Sequence, residues 1–132
     1  MDIFGFLLIF IVGHFVIAIS SFITFDSLIK LEYFSYRAHW NEDGQPIGFF
    51  WIAPENRKFF ILPFAQLKHQ LARDKLSRKW LFSTPDWINH DLQALRLTNR
   101  YRWLILTWTV IFVIPTLTVI MIVILTSLST VK

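Results

Sequence analysis

The side chains best equipped for chemistry here are four histidines and nine acids, with no cysteine among them. His14 stands out because it interrupts a greasy run, "LLIFIVGHFVIAIS". An ionisable group inside such a run is costly and is a functional candidate by default. Histidine is a common axial haem ligand, so a haem- or quinone-associated anchor built on His14 is one expectation. No histidine occurs from Leu104 to Ser127, so a second axial ligand would have to come from another subunit. The alternative is structural. Pro115 cannot donate to the Ile111 carbonyl and repels it sterically. A neutral His14 could donate to that freed oxygen or to Thr116, a bond worth about 1 kcal/mol in lipid. The structural role is preferred.

His39, His69 and His90 have no second ligand three or four residues away, so no helical metal pair is expected. Asp26, Glu32, Glu42, Asp43, Glu55, Asp74, Asp86 and Asp91 form no evident acid–base couple in the sequence, and Glu42 and Asp43 sit in a turn. Ser20 and Ser21 match no nucleophile motif, and four glycines make no phosphate loop or dinucleotide fingerprint. Without cysteine, a disulfide, a thiolate metal site and an Fe–S cluster are excluded within the chain. The expectation is a non-enzymatic protein with no cofactor.

The elements that carry these residues come from the hydropathy pattern. Of 132 residues 55% are hydrophobic, and the mean hydropathy is +0.50, more apolar than soluble domains average. Residues 3–24 and 104–127 carry no charge. Each is long enough to cross the hydrocarbon core as a helix. The N-terminal run lacks the basic start and small-residue cleavage site of a signal peptide, so it is expected to be retained. The 13 Lys and Arg, Lys132 excepted, lie from Lys30 to Arg102. Basic flanks stay cytoplasmic, which predicts a cytoplasmic middle and both termini on the far side. No nucleic-acid recognition module is visible. The expected fold is an all-α two-span helical hairpin forming one unit, with spans at 3–25 and 104–127 around a middle region at 26–103.

In the middle, Leu28, Leu31 and Phe34 keep helical spacing, so the first helix should run past the membrane surface. "NEDGQP" breaks it, and "IGFFWIAP" is expected to be irregular. From Pro63 a basic amphipathic helix is predicted, with Phe64, Leu67 and Leu71 as its apolar stripe and Leu76, Trp80 and Leu81 continuing it with drift. Lys68, Arg73, Lys75, Arg78 and Lys79 surround that stripe and are candidates for anionic lipid headgroups. Thr84 is a plausible N-cap for a helix expected to run unbroken from Pro85 into the second span. Phe49, Phe50, Trp51, Phe59 and Phe60 are expected to form an outward contact surface.

The N-terminal span, "GFF" at Gly48–Phe50, the basic and aromatic middle and "RLTNRYRWLIL" at Arg96–Leu106 together resemble the universal stress protein B family of bacterial inner-membrane proteins. The resemblance implies a small inner-membrane protein linked to stress or stationary phase, with no catalytic residues to carry over. The leading functional expectation is an accessory subunit docked on a larger membrane complex or a homo-oligomer. Alternatives are the His14 anchor and an anionic-lipid-binding surface protein.

Overall fold

The computed structural model describes residues 3–61 and 63–129, and the chain is all-α, with no strand among them. Helix α1 (Ile3–Ser35) continues well beyond its uncharged run, as its apolar spacing predicts. A short α2 (Arg37–Glu42) folds back from it. Gly44 ends that turn in the left-handed region, φ 87°, with Gln45 following at φ 57°; a side chain at Gly44 would be strained there. An irregular stretch leads to a 3-10 turn (Pro54–Ile61) and then α3 (Pro63–Phe82). After α4 (Asp86–Asn89), α5 (Leu92–Trp108) passes through a π turn (Thr109–Val113) into α6 (Ile114–Ser129). Leu8–Ser35 and Leu92–Leu128 are each long and apolar enough to cross a membrane.

Two boundaries differ from the pattern in the sequence. The helix after Pro85 is not continuous. Pro85, not Thr84, precedes α4, and the chain breaks at His90. Asp91 then caps α5, its Oδ1 accepting from the backbone N–H of Gln93 at 2.8 Å and Ala94 at 3.0 Å. An aspartate that satisfies two orphan donors is a strong start signal even inside a helix-forming run. The second difference is the π turn directly before Pro115. A wider turn removes the register in which the proline ring would clash.

The core surrounds the C-terminal part of α1, beyond its uncharged run. Phe25, Leu28, Ile29 and Tyr33 are packed with Trp40, Leu76, Trp80, Trp87, Ile88, Ala94 and Tyr101. Thus α1 serves as a mast, with α3, α4 and the start of α5 gathered around it. Of the expected stripe on α3, Leu76 and Trp80 face inward, while Leu67 and Leu71 are exposed. Below this cap the face of α1 that bears His14, Ala18 and Ser21 is partly buried. There Phe112 packs at Gly13, where an added Cβ would still sit at an ordinary 3.6 Å. Beyond Phe112 the helices part, and residues 114–128 are exposed throughout.

One carboxylate fixes the irregular segment. Asp26, 5% exposed, accepts the backbone N–H of Phe49 at 2.6 Å, Phe50 at 2.8 Å and Trp51 at 2.9 Å. Gly48 makes this approach feasible, since a Cβ there would collide with the Asp26 carboxylate. Asp26→Asn leaves one acceptor oxygen and turns an NH₂ toward a donor. It should lower stability by about 3 kcal/mol, as expected for losing charged hydrogen bonds at a buried site. Gly48→Ala should destabilise in the same direction. Thermal unfolding followed by near-UV circular dichroism in mild detergent measures both; an unchanged midpoint for Asp26→Asn would refute the clamp.

Candidate functional site

The clamp decides where the aromatic segment points. The Phe49 ring stacks on Phe22 at 4.0 Å and meets Phe25 edge-on at 5.6 Å. The Arg73 guanidinium lies 4.5 Å from the centre of the Phe49 ring. Trp51 meets Tyr33 at 5.2 Å. Phe49 and Trp51 are half-buried and pack on the chain's own first helix. The reason is the backbone: three N–H groups drawn onto Asp26 bring both rings to α1. Of the described members of that set only Phe50 is exposed, at 65%. The side chains of Phe59 and Phe60 lie outside the described residues.

The basic residues of α3 are likewise not one uniform surface. Lys79 Nζ bonds Asp43 at 3.0 Å, and Arg73 bonds Asp74 at 3.0 Å besides covering Phe49. Arg78 donates to the Asp74 carbonyl. Lys68 and Lys75 are exposed. Successive helix positions turn by 100°, so Leu67, Leu71, Lys75, Arg78 and Phe82 share one side. All five are exposed, opposite the buried Leu76 and Trp80. Apolar and cationic side chains thus share the outer face of α3.

Within the cap a buried acid emerges that the sequence pattern does not reveal. Glu32 is fully buried, and neither carboxylate oxygen has a hydrogen-bond partner. Burial, and then the neighbouring Asp43 carboxylate, push its pKa up to about 8, against a weaker opposing pull from Lys79. At neutral pH Glu32 is therefore a protonated acid. Asp43 belongs to this cluster rather than to a free turn, because α2 folds back and sets it beside Lys79. Glu32 and Asp43 are eleven positions apart along the chain, so spacing alone hides the pair. Outside this cluster, Glu55 accepts from the Tyr33 hydroxyl at 2.9 Å and pairs with Arg37, which lies over the Tyr33 ring. The Tyr36 hydroxyl donates to Asp91 at 2.9 Å. The Ala94 N–H, then that hydroxyl, hold Asp91 below its ordinary value.

In the apolar half, His14 lies in a cleft of about 210 Å³ with Phe112, Val113, Thr116 and Leu117. Its ring meets Phe112 edge-on at 5.1 Å, and Trp108 lies 5.5 Å away. The anticipated bond to Ile111 or Thr116 is not formed. The Thr116 hydroxyl instead donates to the Phe112 carbonyl at 2.6 Å, and aromatic packing holds the imidazole. Trp108 Nε1 is buried nearby without an acceptor. No group of three His, Asp or Glu side chains suited to a metal occurs among the described residues. His39, His69 and His90 stand apart: His39 faces Glu42, His69 bonds the Gln45 carbonyl and His90 the Asp86 carbonyl.

No family model matches the chain, and comparisons with curated proteins and with solved structures also find no match.

Two measurements follow from this geometry. Between the ordinary carboxyl value of 4.5 and about 8, the folded chain holds a proton on Glu32 that the unfolded chain releases. Stability should therefore fall as pH rises through that window, by up to about 5 kcal/mol, and level off above it. Glu32→Gln mimics the protonated acid, so it should raise the unfolding midpoint at pH 8 and flatten the slope between pH 5 and 8. A slope that persists in Glu32→Gln would assign the titration elsewhere. For His14, the visible spectrum of the purified protein should show no Soret band; a band that vanishes in His14→Ala would establish haem ligation instead.

Proposed function

We propose that this chain is a non-enzymatic integral membrane protein that works at the cytoplasmic leaflet of a bacterial inner membrane. Two spans and a surface-lying α3 hold a small rigid cap against anionic lipid. The observation that carries this reading is the outer face of α3, where exposed Leu67, Leu71 and Phe82 alternate with Lys75 and Arg78. Leucines left in water beside lysines gain nothing, whereas a basic amphipathic face buries its apolar part at the acyl boundary and its charge among headgroups. Position agrees. The inner face of α3 meets Phe25 through Trp80 and reaches Phe49, which is stacked on Phe22. Those α1 residues lie at the end of its uncharged run.

The topology follows from charge: the basic middle lies inside and both termini outside. The accessory role rests on the bare stretch 114–128, exposed on every side, which a larger membrane complex or a second copy of the chain would cover. The link to stress or stationary phase rests on the resemblance to the universal stress protein B family. The His14 anchor is the weaker alternative, because an imidazole wedged among Phe15, Trp108 and Phe112 is already packed by its own chain.

Because the chain has no cysteine, a single spin label can report the depth of α3. A nitroxide at Leu71→Cys, in vesicles containing phosphatidylglycerol, should be reached more readily by oxygen than by a water-soluble nickel chelate. The exposed Ala38→Cys on α2 should show the reverse. Equal chelate access at both positions would place α3 in water and end the surface-helix reading.

A further inference from the structure

A concavity lies between the end of α3 and the flank of α5. It is a groove of about 440 Å³ whose lining includes Leu81, Phe82, Asn99, Arg102, Leu106 and Thr109. Along α5, Asn99 to Thr109 spans about 15 Å at the helical rise. The polar pair, Asn99 and Arg102, comes before the uncharged run that begins at Leu104; Leu106 and Thr109 lie inside that run. The groove therefore passes from polar to apolar in the direction in which the helix would enter the bilayer. Its apolar end is truly apolar, because the Thr109 hydroxyl is already bonded to the Ile105 carbonyl at 2.8 Å.

Arg102 is the unusual member. Its Nε donates to the Trp80 carbonyl at 2.7 Å, and its Nη2 donates to the Ser83 carbonyl at 2.7 Å and to Thr84 Oγ1 at 2.9 Å. These three bonds hold the guanidinium rigidly, yet every acceptor is neutral. Among the described residues no carboxylate lines the groove, and Nη1 makes none of these bonds. A fixed, part-buried cation with spare donors and no counter-charge fits an anion. Beside it stand Trp103, 68% exposed, and Phe82, 87% exposed, aromatic side chains of the kind that settle at headgroup level.

We propose that this groove binds one anionic phospholipid. Its phosphate pairs with Arg102 Nη1 and the Asn99 amide, and an acyl chain runs past Leu106 and Thr109 under Leu81 and Phe82. The proposal deepens the membrane reading and rests on it: α3 meets the leaflet as a surface, while this groove holds a single molecule. The lipid supplies the charge that Arg102 lacks and covers apolar wall that the chain leaves open.

The test uses the full chain in mild detergent, observed by native mass spectrometry with phosphatidylglycerol or phosphatidylcholine added. One phosphatidylglycerol should be retained about fivefold better than phosphatidylcholine, the scale of one added cation–headgroup contact. Inorganic phosphate should not displace it, because the acyl chain contributes. Arg102→Gln should abolish the preference. Since Arg102 also ties α3 to the following turn, Thr109→Trp provides the independent arm: it fills the apolar end, leaves the clamp intact and should reduce retention of both lipids. Equal retention of the two lipids by the parent chain, or undiminished retention by Thr109→Trp, would overturn the proposal. So would a lipid-free dimer that Thr109→Trp disrupts, since a second copy would then fill the groove. Release of the chain from membranes by alkaline carbonate would instead bring down the membrane reading itself.

Discussion

The Asp26 carboxylate is the constraint on which the rest of this structure depends. It is the first charge after a long uncharged helical run, and it is buried. A buried carboxylate is tolerable only when its oxygens are satisfied, and here three consecutive backbone N–H groups satisfy them. The same bonds solve the opposite problem for the loop, whose donors belong to no helix or sheet ladder. A segment that would otherwise drift is fixed against α1. Its Phe49 ring then offers a seat to Arg73, so one side of α3 is located by the loop beneath it. Gly48 is a consequence of this arrangement, because no side chain fits between the carboxylate and the loop.

The cap built on that clamp tolerates a second buried acid with the opposite solution. Glu32 receives no donors and stays neutral by holding its proton. Its neighbour Asp43 remains within reach of solvent and is paired with Lys79. Two carboxylates in one small domain thus follow different rules. Where backbone donors converge, they offset the cost of desolvation; where none does, the proton remains.

The distribution of exposed apolar surface has the same origin. Packing is concentrated around residues 21–33 of α1, where four elements meet, and it thins toward the far ends of the long helices. In water that would leave a large apolar area uncovered; in a bilayer, acyl chains cover it without a protein neighbour. The outer face of α3 and the groove beside Arg102 lie between these regimes, each joining cationic groups to apolar ones. Both support the proposal of a polypeptide that meets a membrane surface along its flank as well as through its long helices.

The sequence alone determined most of the elements and the apolar character of the two long helices. Two uncharged runs, a turn at Gly44 and a helix opened by Pro63 follow from local rules, since hydropathy, proline and glycine act on their own stretch of backbone. The Asp91 cap was equally local, and was obscured only by the helix-forming residues on both sides. Which aromatics face outward was not determined locally. Phe49 and Phe50 are adjacent and chemically identical, yet one is stacked on Phe22 and the other is largely exposed. Only the fold decides between them, by bringing Asp26 to their backbone. Likewise, Glu32 became a neutral acid and Arg102 a cation without a counter-charge through residues far away in the chain. Burial and electrostatics depend on distance through space, and spacing along a sequence does not encode it.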